Sequence, residues 1–193
     1  MRLKDYVRAA VSTESSDFAA IRGRLSTEEG AAGLVGALAR LTELSGMVDL
    51  LKKGAFYGRA VELPGALVEH GRRSPGRPRG GEMGAILTPT MIRNLHAVLG
   101  LATEVGELVE AVVREMEGGG GVDAVNLMEE CGDLMWYMAV LADNNGFTLE
   151  HALERNVEKL RKRYGGAGFS GEAANNRDTA AERAVLEDGK KGE

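Results

Sequence analysis

The chain contains one cysteine, Cys131, which rules out an internal disulfide and fits a reducing cytosol. Long hydrophobic runs are missing as well. No uncharged apolar stretch approaches the ~18 residues expected of a membrane-crossing helix, and the opening MRLKDYVRAAVSTESSDF has no apolar segment of the signal-peptide kind. Alternating β-branched runs are absent, so no strand is expected. Histidines number only three, and none stands in the Glu-x-x-His spacing by which di-iron bundles supply an imidazole. Arg93 precedes His96 by three residues, Thr148 precedes His151 by three, and His70 is expected in a loop. Redox iron is thereby disfavoured. Surplus positive charge is missing too: 24 Lys and Arg stand against 29 Asp and Glu, a net charge of −5, which argues against a coat for nucleic acid. No specific nucleic-acid partner and no membrane partner are expected, and the localisation expected is cytoplasmic.

What is present is a helical pattern with enough apolar residues (44%) for a core. Ala, Leu, Glu and Arg dominate the periodic segments, which predict an all-α protein with helices near 3–11, 16–24, 27–53, 90–116, 122–145 and 148–164, and a short one near 179–187. Pro89 after Thr88 suits the first turn of the fourth helix. Gly146 ends the fifth, and Thr148 can cap the sixth. The stretch GRRSPGRPRGGEMG (71–84) reads as an exposed basic loop or linker. Four regions follow: an N-terminal helical segment over 1–70, a Gly/Pro/Arg-rich loop over 71–88, catalytic helices over 89–170, and a loose tail over 171–193.

An offset of 61 residues aligns two segments, either as an internal repeat or as two amphipathic helices alike by chance. LVGALARLTELSGMVDLL (34–51) lies over LHAVLGLATEVGELVEAVV (95–113), pairing Leu34, Leu38, Thr42, Glu43 and Val48 with Leu95, Leu99, Thr103, Glu104 and Val109. The first copy is chemically worn, with Gly46 where Glu107 stands. It is expected to bind no catalytic metal and to pack its stripe of Leu34, Leu38, Leu41, Leu44 and Val48 against the intact helices.

The intact copy carries carboxylates where an apolar stripe should be. At about 100° per residue, Leu101 and Leu108 fall within about 60° of Glu104, and Ala97 and Ala111 within about 20°. Glu104 therefore points among apolar side chains, while Glu107 shares a narrow polar strip with His96, Thr103, Glu110 and Arg114. The next helix repeats the arrangement with Glu129, Glu130 and Asp133 on the side of Trp136 and Tyr137. Buried carboxylates cost several kcal/mol each unless they keep a proton, pair with Lys or Arg, or bind a cation. Two acidic i,i+3 pairs on successive antiparallel helices would converge on one hard divalent cation, Mg²⁺ or Mn²⁺. The following helix is basic, with Asn156, Lys159 and Arg163 on one face.

The segment 94–178 resembles the MazG-like, all-α nucleoside triphosphate pyrophosphohydrolases, in the form found in phages. Their pattern is ExxE, a spacer, then ExxD. It is carried here by Glu104-Val-Gly-Glu107 and Glu130-Cys-Gly-Asp133, with flanks HAVLGLATEVGEL, NLMEECGDLMWYMAVLA and NVEKLRKRY and a late Asn176-Arg177-Asp178. The resemblance implies a helical bundle assembled as a homodimer or homotetramer, and Mg²⁺-dependent cleavage of a (d)NTP to (d)NMP and pyrophosphate, with Mn²⁺ as a substitute. It implies Glu104, Glu107, Glu130 and Asp133 as metal ligands and Glu129 as a base or outer-shell group. Asn156, Lys159, Arg163 and Tyr164, with His96, are implied to lie near the substrate. A phage enzyme trimming dGTP or GTP in the host cytoplasm is one subtype. The alternatives are an inactive helical assembly or regulatory protein and a phosphoribosyl-ATP pyrophosphatase. One departure is that DLLKKGAFYGR (49–59), which phage-type relatives carry after the ExxE helix, here follows the worn copy. Cys131, inside the acidic motif, reads as a packing residue.

Overall fold

Helix is the only regular structure among the described residues, 2–76, 80–118, 120–166 and 168–187, of the computed structural model. The order is α1 (Leu3–Val11), α2 (Phe18–Leu25), α3 (Glu28–Tyr57), α4 (Gly65–Arg73), α5 (Gly80–Ile86), α6 (Pro89–Met116), α7 (Ala124–Asn145), α8 (Leu149–Tyr164), α9 (Gly171–Asn175) and α10 (Thr179–Glu187). The all-α expectation holds, and none of these helices is long and apolar enough to cross a membrane. α4 and α5 were not anticipated, and α5 falls inside the stretch read as a loop. The centre of that loop, 77–79, lies outside the described residues, as do residue 119 of the glycine run and 188–193 of the tail.

The chain divides into two compact units, Glu28–Gly146 and Met1–Thr27 with Phe147–Glu193. In the first, α6 lies between α3 and α7 and is antiparallel to both. Capping sets the helix ends as the sequence predicts. The Thr88 hydroxyl accepts from Met91 N–H at 3.2 Å with Pro89 in the first turn, and Gly146 closes α7 at φ 70°. Polar side chains tie the start of α6 to the end of α7. Arg93 pairs with Asp143 at 2.6 Å, and Asn144 donates to the Thr90 carbonyl at 2.9 Å and to Asn94 Oδ1 at 2.7 Å. At mid-helix, Gly100 admits the Tyr137 ring: a Cβ at that position would stand 2.2 Å from it.

The α3–α6 crossing joins the two copies of the repeat at equivalent residues. Ser45 plus the offset of 61 is residue 106, and Gly106 is where the helices touch. A Cβ there would lie 2.2 Å from Ser45 Cβ, and Ser45 Oγ donates to the Thr103 carbonyl at 3.3 Å. Contact between equivalent positions is the arrangement of an isologous interface. On one side of the crossing Lys52 meets Thr103 and Glu104. On the other, the corresponding residues Val113, Thr42 and Glu43 line an open, mainly apolar cavity of about 570 Å³. The worn helix thus packs on the intact one, but through Ser45 and Lys52, whereas Leu41 and Leu44 of its expected stripe are exposed.

In the second unit, α8 carries the tail, with Val157 in the core. The short helix expected near 179–187 is α10; the rest of the tail, expected to be loose, adds α9, and α10 is held to α8 by a buried carboxylate, Glu182. Arg163 grips it through two bonds of 2.8 Å, and Arg177 adds one of 2.6 Å. These pairings hold the Glu182 pKa down to about 2.

Gly106→Ala should lower the melting temperature. Overpacking costs about 1–3 kcal/mol, and the obstruction here is a Cβ that cannot rotate away; this outweighs the ~1 kcal/mol that Ala gains over Gly in a helix. Gly36→Ala on α3, with nothing within 4 Å of the new methyl, should raise it. Thermal unfolding of both variants checks the pair, and a Gly106→Ala protein as stable as Gly36→Ala would contradict the close crossing.

Candidate metal and phosphate site

α6 presents Glu104 and Glu107 one turn apart, and α7 presents Glu130 opposite them. Each offers an oxygen within 4.8 Å of the others, with Glu104 and Glu130 buried and Glu107 exposed. Glu107 and Glu130 line an open polar groove of about 280 Å³, whose other walls include Ser45, Gly46 and Asp49 of α3 and Arg114 of α6. The groove brings equivalent repeat positions together: Gly46 with Glu107, and Asp49 with Glu110.

The desolvation of these acids is met in two ways. Glu104 Oε1 lies 3.5 Å from the Lys52 ammonium and within 3.0 Å of the Thr103 hydroxyl. Glu130 instead retains a proton toward neutrality. Its pKa is pushed up to about 7 by burial first and then by the facing carboxylates of Glu107 and Glu104. Asn126 Nδ2 donates to it at 3.4 Å. Three convergent carboxylates are an all-oxygen donor set that suits a hard divalent cation.

The other expected site residues fall as follows. Asp133 and Glu129 are exposed on α7 and outside the three-carboxylate group. Cys131 is also exposed, which corrects its reading as a packing residue. α7 turns Glu130 inward, so the residue that follows points away. His96 sits in an aromatic cluster. It stacks on Phe56 at 4.5 Å and receives the edges of Tyr57, Trp136 and Tyr137. Burial and then the Lys52 charge lower its pKa, and its Nε2 has no hydrogen-bond partner among the described residues. Burial, then a hydrogen bond shared with Tyr57, raises the Tyr137 pKa. Asn156, Lys159, Arg163 and Tyr164 belong to the other unit. There Arg163 is committed to Glu182, and Tyr164 packs on Phe169 with ring centroids 5.9 Å apart.

Residues 93–166 match the MazG nucleotide pyrophosphohydrolase domain. The resemblance drawn from the motifs therefore holds for this segment, which contains Glu104, Glu107, Glu130 and Asp133. A relative is the Gene 37 protein of Mycobacterium phage L5, 33% identical over 72 residues. The alignment takes in 35% of this chain and 63% of that protein, so the chain spans somewhat under two thirds of the relative's length. The phage source accords with the phage-type flanks. No solved structure matches the chain.

Three residues escaped the sequence reading. Arg114 was placed on the polar strip but given no role. Glu182 was hidden in a polar tail. Lys52 had a visible signal: it follows Val48 by four residues on the packed face of α3, and it replaces an apolar residue, Val113, of the other copy.

Stability should follow the Glu130 proton. Its ordinary pKa is 4.5 and its folded one about 7, so between these values the folded chain holds a proton that the unfolded chain has released. The contribution is present at low pH and is lost as pH rises through about 7. In chelator, the melting temperature should fall from about pH 5 to 8 more steeply than in Glu130→Gln. Identical profiles for the two proteins would place the proton elsewhere.

Proposed function

We propose that the protein is a Mg²⁺-dependent (d)NTP pyrophosphohydrolase that forms (d)NMP and pyrophosphate. The observation that carries this is the convergence of Glu104, Glu107 and Glu130 within 4.8 Å at the edge of an open groove, inside the segment that matches a nucleotide pyrophosphohydrolase domain. These three side chains would hold the cation, and Asp133, one turn beyond Glu130, would join them. Glu129 stands beside them as an outer-shell group or base. A divalent ion there supplies Lewis-acid charge for phosphoryl oxygens and water.

The chain's own contribution is placement and charge. Phosphoryl transfer through a loose transition state needs little covalent help, so no nucleophilic side chain is called for. Arg114 lines the groove without an ion-pair partner among the described residues, and its guanidinium is suited to phosphate oxygens. Lys159, also without an ion pair among the described residues, and Asn156 keep as a proposal the substrate-binding role that the resemblance implies. Arg163 would reach phosphate only by leaving Glu182, so its first role is to hold the tail. Trp136, which is 53% exposed next to His96, offers a face against which a base can stack.

Purified protein incubated with Mg²⁺ and each (d)NTP, dGTP and GTP included, should release pyrophosphate and not orthophosphate. Glu107→Gln and Asp133→Asn should each cut turnover by at least ~10²-fold with helical circular dichroism intact. Near-normal turnover in either variant would sink its assignment as a ligand. Release of orthophosphate alone, or no turnover of any nucleotide, would sink the reaction.

We also propose assembly as a homodimer or homotetramer. α6 exposes Met91, Leu95, Val98, Val105, Val112 and Met116. Their alternating spacing of four and three, completed by Ala102 and Val109, is that of a helix–helix seam. Val105→Asp should shift the sedimentation of the protein to a smaller species. A wild type that is monomeric at every concentration would exclude the assembly.

A further inference from the structure

Lys52 is the cation built into the carboxylate centre, and nothing in the spacing of the acidic motifs asks for it. Only 5% exposed, it is supplied by α3, the worn copy of the repeat. Its Nζ donates to Thr103 Oγ1 at 2.7 Å and lies 3.5 Å from Glu104 Oε1, 3.8 Å from Asp49 Oδ1 and 5.5 Å from the centre of the Tyr137 ring. Lys53, the next residue, is half-exposed and pairs with Asp49 alone. The Thr103 hydroxyl accepts from Lys52 and keeps its single proton for the Gly100 carbonyl at 2.7 Å or for Glu104 at 3.0 Å. Ammonium, hydroxyl and carboxylate thus form one buried chain.

The aligned position on the other side of the crossing carries no charge. The position equivalent to Lys52 is Val113, which lines a cavity with Thr42 and Glu43 at the corresponding place on the other side. An apolar residue is compatible with that packing. The ammonium is present only on the side where three carboxylates meet.

We propose that Lys52 is the resident counter-ion of the centre, its ammonium taking the place of one divalent cation beside Glu104 and so limiting the cationic charge that Glu104, Glu107 and Glu130 take up. This rests on the divalent-cation reading above. A fixed positive charge near a bound dication opposes it directly, in a setting where charges interact more strongly than in bulk water. Lys52 is accordingly a positioning residue: it pairs with Glu104 and orients it without itself meeting the reacting atoms.

The test uses the full chain and Mn²⁺ alone, without nucleotide, followed by the electron paramagnetic resonance of free Mn²⁺. Lys52→Met should bind Mn²⁺ at least ~10-fold more tightly than wild type, or take up one further equivalent. Lys52→Arg, which keeps the charge, should stay near wild type. Lys52→Gln, neutral and still able to donate to Thr103, repeats the test if the Met variant loses its helical signal. Unchanged or weaker Mn²⁺ binding in the neutral variants would overturn the proposal. So would unfolding of both neutral variants beside a folded Lys52→Arg, which would assign Lys52 to the fold. No Mn²⁺ binding by any of the proteins would remove this proposal and the cation centre together. Mn²⁺ binding that shifts as expected, without nucleotide turnover, would leave the counter-ion standing and remove only the hydrolase reading.

Discussion

Three convergent carboxylates, two of them out of water and the third at the solvent edge, impose the constraint to which the surrounding helices respond. Removing like charges from water together is costly, and each acid is relieved differently. Glu104 has the Lys52 ammonium and the Thr103 hydroxyl, Glu130 keeps a proton to about pH 7, and Glu107 remains at the solvent edge. Two of the three remedies open to a buried acid, a partner cation and a retained proton, are thus in use side by side. The third, a bound cation, would act on the same oxygens and would compete with that proton.

The constraint reaches the backbone. Glu104 and Glu130 face each other because α6 and α7 are locked in register by Arg93, Asn94, Asp143 and Asn144 at one end and by the Tyr137 ring against Gly100 further along. Lys52 reaches Glu104 because Gly106 has no side chain to keep α3 away. A repeat whose copies cross at equivalent residues could have placed like groups on both sides. Here the two sides differ: one holds an ammonium against an acid, the other an open apolar cavity. The worn copy has lost an acid and contributes a base.

Elsewhere in the chain the same chemistry serves structure. Glu182 is as buried as Glu130, yet its pKa moves in the opposite direction, because Arg163 and Arg177 face it where Glu107 and Glu104 face Glu130. Burial alone does not mark an acid as functional; the charge of its neighbours does. That distinction also reassigns Arg163. Its place on a basic helical face made it a natural contact for phosphate, but its partner belongs to the tail.

Residue order alone determined a good deal. Helical periodicity, Thr88 and Thr148 as caps and Gly146 as a stop are local properties, and they set the all-α class and the limits of α6, α7 and α8 to within a few residues. The acids on apolar stripes announced a buried charged cluster, since at 100° per residue Glu104 had to lie in line with Ala97 and Ala111. What the sequence could not decide was which groups from distant segments would meet them. Asp133 stays outside the group of three because facing depends on how α7 is rolled against α6, and Trp136, Tyr137 and Gly100 set that roll. Lys52 stands 52 residues before Glu104 in the chain, and its approach depends on the absence of a side chain at Gly106, which no periodicity reports. Helix position is a local matter of backbone and capping; the partner of a buried charge is chosen by packing, and packing exists only once the helices have crossed.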